Sequence, residues 1–197
     1  RCGESRHVDL PQSDRRHRRI DLADAEVEQP VGGRRLRLAF FLDGEEITVD
    51  LDQCRVSATL ADGRIGYIAI ESFSGQAAED FEADLEAHLD VGLDKLIIDV
   101  RDDPGGFVDA TVRISSQFIA DGAVFWEEYA DGSRISVDVS GEGIATDPEL
   151  EVVLLVNCGS ASASEILGGA LQDAGRARLV GEVTFGKGSV QEWNELP

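Results

Sequence analysis

Apolar and polar residues follow two rhythms along this chain, and the switches between them predict where strands give way to helices. Residues 35–42 and 46–51 alternate or cluster as two strands, and Asp43-Gly44 between them is a hairpin signal. The run I-G-Y-I-A-I at 65–70 reads as another strand. Residues 76–91 then take helical spacing, with Ala77, Phe81, Leu85 and Leu89 on one face and Glu79, Glu82, Asp84 and Glu86 outside. Gly92 suits the cap that ends this helix. Residues 96–100 form a short apolar strand of the parallel type. After R-D-D-P-G-G at 101–106 a second helix is expected to carry Phe107, Thr111, Ile114 and Phe118 on one face.

Residues 124–129 and 134–139 pair in the same way around Asp131-Gly132. Residues 151–156 are again continuously apolar. They enter a turn of small hydroxyl residues and a helix with Ile166, Leu167, Ala170 and Leu171 inward and Gly175 as its stop. A strand at 177–180 follows. Strands alternating with crossover helices predict an α/β fold with a largely parallel core. Residues 1–30 have no sustained period, and their R-R-H-R-R run at 15–19 reads as a solvated or loose segment.

Composition narrows the picture. With 197 residues, 42% of them hydrophobic, the chain suits one domain of ordinary size with part of a second. No apolar run approaches the roughly 18–20 residues that cross a bilayer. The net charge of −21 argues against a nucleic-acid partner. Among 18 basic residues only Lys95 and Lys187 are lysines, so one of the two sits in the glycine turn at 184–191. Cys2, Cys54 and Cys158 are odd in number and lack C-x-x-C spacing, so neither a disulfide framework nor a zinc site is expected. The chain has no methionine, starts at Arg1 and stops at Pro197 without a closing element, which reads as a fragment or processed form.

The candidate chemistry centres on Ser162. An apolar strand feeding a tight turn and a helix places a side chain near a helix N-terminus, where free N–H groups favour developing negative charge. That suits a nucleophile whose tetrahedral intermediate carries an oxyanion. The same residues have a plainer reading, because Ser162-x-x-Glu165 is also a capping box. Pro104-Gly105-Gly106 is likewise a turn by chemistry alone, although its glycines would let backbone N–H groups approach a ligand closely. A serine hydroxyl needs a base. His7 and His17 lie in the basic start and His88 on a charged helix; all three read as surface residues, which leaves a Ser-His-Asp triad without its histidine. Lys187, flanked by glycines and near apolar Phe185, is the better candidate, since a shielded amine can stay neutral and accept a proton. Phosphate-loop patterns are missing: Lys187 is followed by glycine, and no G-x-G-x-x-G occurs. Cys158 lacks a histidine partner and reads as packing at the strand end.

Taken together, G-R-I-G-Y-I-A-I-E-S-F (63–73), L-I-I-D-V-R-D-D-P-G-G (96–106), G-S-A-S-A-S-E-I (159–166), A-L-Q-D-A-G-R-A (170–177), V-G-E (180–182) and T-F-G-K-G-S-V-Q (184–191) resemble the C-terminal processing peptidases, or tail-specific proteases. These are Ser/Lys serine peptidases. The resemblance covers about residues 56–197 as a peptidase core truncated at its C-terminus, with 1–55 holding an uninformative start and a remnant of a PDZ-like module. It implies a ClpP/crotonase-like core of ββα units behind a partial PDZ-like hairpin. It also implies Ser162 as nucleophile, Lys187 as general base and Gln191 as the residue positioning the lysine. The oxyanion hole would come from the backbone N–H of Ala163 and of Gly105 or Gly106. No metal or cofactor is called for. The implied substrates are proteins or peptides with apolar C-terminal tails, in an extracytoplasmic, periplasmic or membrane-associated setting. One departure stands out: Asp103 occupies the place before P-G-G where the family commonly has asparagine. The rival expectation is a non-catalytic ligand- or peptide-binding module on the same fold.

Overall fold

The computed structural model describes residues 65–190 and four strands before them: β1 (Ile20–Asp21), β2 (Leu36–Leu42), β3 (Glu45–Leu51) and β4 (Ser57–Leu60). From Ile65 onward the chain runs β5 (Ile65–Ala69), α1 (Ala77–Asp90), β6 (Lys95–Asp99), α2 (Val108–Ser116), β7 (Ala123–Glu128), β8 (Arg134–Asp138), β9 (Glu151–Val156), α3 (Ala163–Asp173) and β10 (Ala177–Gly181). Strand order in the main sheet is β10-β9-β6-β5-β4. The first four are mutually parallel, and β4 closes the edge antiparallel. The α/β expectation with a parallel core therefore holds. Buried on both faces, β6 and β9 are apolar at nearly every position, as a covered parallel strand must be.

The helices complete one core around Phe73, Phe81, Leu85, Ile98, Ile114, Phe118, Leu154, Leu167 and Leu171. The buried face of α1 is Ala78, Phe81, Leu85 and His88, turned slightly from the face expected. His88 is thus a core residue, not a surface one. It packs over Gly66 at the start of β5, where a Cβ would come within 3.1 Å of the imidazole. Burial lowers its pKa. The site loops leave the other end of the sheet, so His88 is no candidate base. Gly92 ends α1 in the left-handed region, its N–H donating to the Leu89 carbonyl.

One core assignment needs correction. Phe107 is the N-cap of α2 and lies 64% exposed, whereas Thr111, Ile114 and Phe118 of the same expected face are fully buried. The glycines before Phe107 swing it out of helical register. Phe118 instead meets Phe81 edge-on, with ring centroids 6.0 Å apart. Both hairpins form. β7 and β8 pair antiparallel as a separate two-stranded sheet, and β2 pairs with β3 from Leu36↔Leu51 to Leu42↔Glu45. The N-terminal hairpin belongs to a three-stranded sheet, β1-β2-β3, whose order alone does not make a PDZ module. No helix among the described residues is long and apolar enough to cross a membrane.

The contrast between the two phenylalanines is testable by urea denaturation. Phe118→Ala is expected to cost about 3–5 kcal/mol, and Phe107→Ala to stay within about 0.5 kcal/mol; equal losses would contradict this packing.

Candidate active site

Three loops leave the carboxyl ends of β6, β9 and β10 and meet beyond the sheet, the place where open parallel sheets bind ligands. The first loop is set from below. Asp99, buried at the end of β6, accepts the Tyr67 hydroxyl at 2.7 Å. It also takes the Arg101 guanidinium at 2.9 and 2.6 Å. Burial, with the Asp99 carboxylate beside it, pushes the Tyr67 phenol far up, so it stays a donor. Burial works against the Arg101 charge, but Asp99 outweighs it and holds the guanidinium protonated. This ion pair fixes the chain direction where R-D-D-P-G-G begins.

Side chains then stitch the first loop to the second. Asn157 accepts the Asp102 N–H at 2.9 Å and donates its amide to the Asp102 carboxylate at 3.0 Å. The buried Ser160 hydroxyl donates to the Val100 carbonyl at 2.7 Å. The Asp103 carbonyl accepts both the Ala161 N–H and the Ser164 hydroxyl, each at 3.0 Å. Gly105 and Gly106 press against neighbours with no room for a side chain. At Gly105, φ +97°, a Cβ would lie 2.6 Å from the Ala161 carbonyl and 2.8 Å from both the Ala163 nitrogen and the Ser162 Cβ. At Gly106 it would meet the Phe73 carbonyl at 2.2 Å.

Ser162 sits at the apex. It is the N-cap of α3 with φ 56° and ψ −111°, a conformation that non-glycine residues seldom adopt. Such strain, about 1–3 kcal/mol, persists only where surroundings over-determine it. Here they do. Its N–H donates to the Glu165 carboxylate at 2.8 Å, and its carbonyl accepts the Glu165 and Ile166 N–H groups. The Ala163 N–H opens the helix and has no acceptor within it.

Glu165 is the residue whose wider role the sequence did not reveal. Besides Ser162, its carboxylate accepts the Thr184 hydroxyl at 2.7 Å, the Gly186 N–H at 2.6 Å and the Lys187 N–H at 2.8 Å. Burial pushes this carboxyl up, but the bonds from Thr184, Ser162, Gly186 and Lys187 outweigh it and hold it below the usual range. One oxygen, Oε2, takes both the Ser162 and the Lys187 amides. The two nitrogens are therefore no farther apart than twice that bond. The third loop is held again where the Phe185 N–H donates to the Ser160 carbonyl at 3.0 Å. Lys187 is half-buried, whereas Phe185 is 68% exposed and gives it little cover. Gln191 lies outside the described residues. Cys158, expected as a packed free thiol, is disulfide-bonded. Its four-residue distance from Ser162 thus brings no competing nucleophile.

The sequence profile of peptidase family S41 matches residues 64–197. The chain belongs to that family. It is 42% identical over 145 residues to a carboxyl-terminal-processing protease of Synechocystis, covering 72% of this chain and 33% of that one. A carboxyl-terminal-processing protease of Picosynechococcus is 39% identical over 134 residues, covering 68% and 32%. Among solved structures, the photosystem II D1 C-terminal processing protease superposes with a TM-score of 0.64 at 25% identity, covering 80% of this chain and 46% of its own. The chain thus spans about a third of the length of these curated relatives. The S41 match encloses all three loops.

Glu165→Ala is expected to release the third loop while leaving the sheet folded, read as faster amide exchange at Gly186 and Lys187 with little change at β9. Its carboxyl is held low in the folded state, so the bonds contribute fully above the ordinary carboxylate range and are lost as pH falls below it. Wild-type protection at these two amides should therefore fade on acidification. Protection indifferent to both acid and the substitution would refute the clamp.

Proposed function

We propose that the chain carries the catalytic core of a serine endopeptidase working through a Ser/Lys dyad, and that residues 56–197 form that core. The observation that carries the reading is the Glu165 carboxylate shared by the Ser162 and Lys187 backbones. It brings a strained hydroxyl residue and a half-buried lysine to one place, within the span of a lysine side chain. Neutral Lys187 takes the Ser162 proton, Ser162 attacks a peptide carbonyl, and the resulting ammonium returns the proton to the leaving amine. Water then releases the acyl-enzyme.

Backbone donors hold the oxyanion. Ala163 N–H is free for this duty at the start of α3. Of the two glycines, Gly105 already donates its N–H to the Asp103 carboxylate at 2.8 Å, which favours Gly106 as the second donor. Gln191 orients the lysine. Substrates are proteins or peptides with apolar C-terminal tails, and exposed Phe107, Val183 and Phe185 beside the loops suit apolar side chains. The setting is extracytoplasmic, and the β2–β3 hairpin is a remnant of a PDZ-like module.

Cleavage of an apolar-tailed peptide tests the dyad. Ser162→Ala and Lys187→Ala should each lower kcat by about a thousandfold or more, with Gln191→Ala giving a smaller loss. Variants cleaving as fast as wild type would end the dyad proposal, whereas a wild type that binds the peptide without cleaving it would return the chain to the class of binding modules.

A further inference from the structure

The acid that precedes P-G-G is buried in poor company for a carboxylate. Asp103 has no exposed surface. Its Oδ1 accepts the Gly105 N–H at 2.8 Å, while Oδ2 is buried without a hydrogen-bond partner. Its carbonyl is tied to the serine turn through Ala161 and Ser164. Gly105 in turn presses on Ser162 and on the Ala163 nitrogen. The carboxyl is therefore one hydrogen bond removed from the backbone that surrounds the reacting hydroxyl.

Among the described residues, no charged side chain is hydrogen-bonded to it or among the charges that shift it. On its own loop Arg101 is committed to Asp99, and Asp102 to Asn157. From the α3 side Glu165 is turned to Thr184 and to the amides of the third loop, Lys187 among them. On α2, Asp109 is exposed and Arg113 pairs with Glu82.

We propose that Asp103 is a positioning residue whose buried carboxyl governs the oxyanion step. As a neutral acid it fixes Gly105 without adding charge. As a carboxylate it sets an unpaired negative charge behind the amides that must welcome a developing oxyanion, and so slows attack. Burial pushes the group up to about 6, with the Gly105 N–H pulling it part of the way back, so both forms are populated near neutral pH. The proposal rests on the Ser162 reading above.

Asp103→Asn removes the charge and keeps both the shape and the Oδ1 acceptor. The measurement is the rate at which a fluorophosphonate probe labels Ser162, its oxygen displacing fluoride, in wild type, D103N and S162A from acid to mildly alkaline pH. The ratio of D103N to wild type should be near one in acid and climb about fivefold to tenfold at alkaline pH, with its midpoint near about 6. A ratio flat across pH, with wild type labelled, overturns the proposal and leaves the dyad standing. Wild type left unlabelled, or S162A labelled equally, defeats the serine reading and this proposal with it. Should D103N melt early, wild type decides alone: its labelling profile must break near the same pH, and a profile with no break there overturns the proposal.

Discussion

A single carboxylate holds this site together. The segment after β10 has neither helix nor sheet position over residues 182–190, and most of it is exposed. Nothing in its own sequence would fix a lysine there. Glu165 does so from another element, accepting two amides and a hydroxyl of the third loop while also accepting the amide of Ser162. Charge-assisted hydrogen bonds are about twice as strong as neutral ones, and four on one carboxylate, three from backbone N–H groups and one from a hydroxyl, leave it little freedom. Glu165 is the group that ties the Ser162 and Lys187 backbones directly to each other, with the Phe185 N–H on the Ser160 carbonyl as a second hold on the same loop.

The clamp works because what lies behind it is stiff. Ser162 at φ 56° and Asp102 at φ 60° are the two non-glycine residues with positive φ among the described residues, and they sit on facing loops. Strain of that kind relaxes unless each neighbour is held. Asn157, Ser160 and the Asp103 carbonyl supply the cross-links, and Tyr67 and Arg101 fix Asp99 beneath them. Every cross-link joins a residue near the end of one parallel strand to a neighbouring element, so the sheet's register is what aligns the donors with the acceptors.

Much of this was legible in advance, and the failures have physical causes. Strands β5, β6 and β9, helices α1 and α3 and both hairpins follow from periodicity and turn residues, because burial demands those patterns. Phe107 misled because helical spacing was extended across a glycine pair that breaks it. His88 misled because a helix crowded with acids still has an inward face, and an imidazole over Gly66 fits there. The disulfide at Cys158 was beyond reach, since three cysteines carry no spacing rule. Glu165 is the instructive case. Capping box and catalytic turn look like rival explanations of Ser162-x-x-Glu165, yet one carboxylate can cap a helix and anchor a distant loop at once. Only the second function depends on a loop nineteen to twenty-two residues away, and no local pattern reports it.

The two carboxyls beside the serine are driven in opposite directions by their surroundings, and that sets a tension within the site. Glu165, rich in donors, is held low, so its contribution is present above the ordinary carboxylate range and lost as pH falls below it. Asp103, buried with one oxygen unpartnered, is raised to about 6, so its contribution is fully present below the ordinary aspartate range and lost as pH rises through that value. Loop geometry is therefore most secure in mild acid, between the two. What separates the two carboxyls is the supply of donors: four reach the Glu165 carboxylate, whereas the Asp103 carboxyl, among the described residues, has the Gly105 N–H alone.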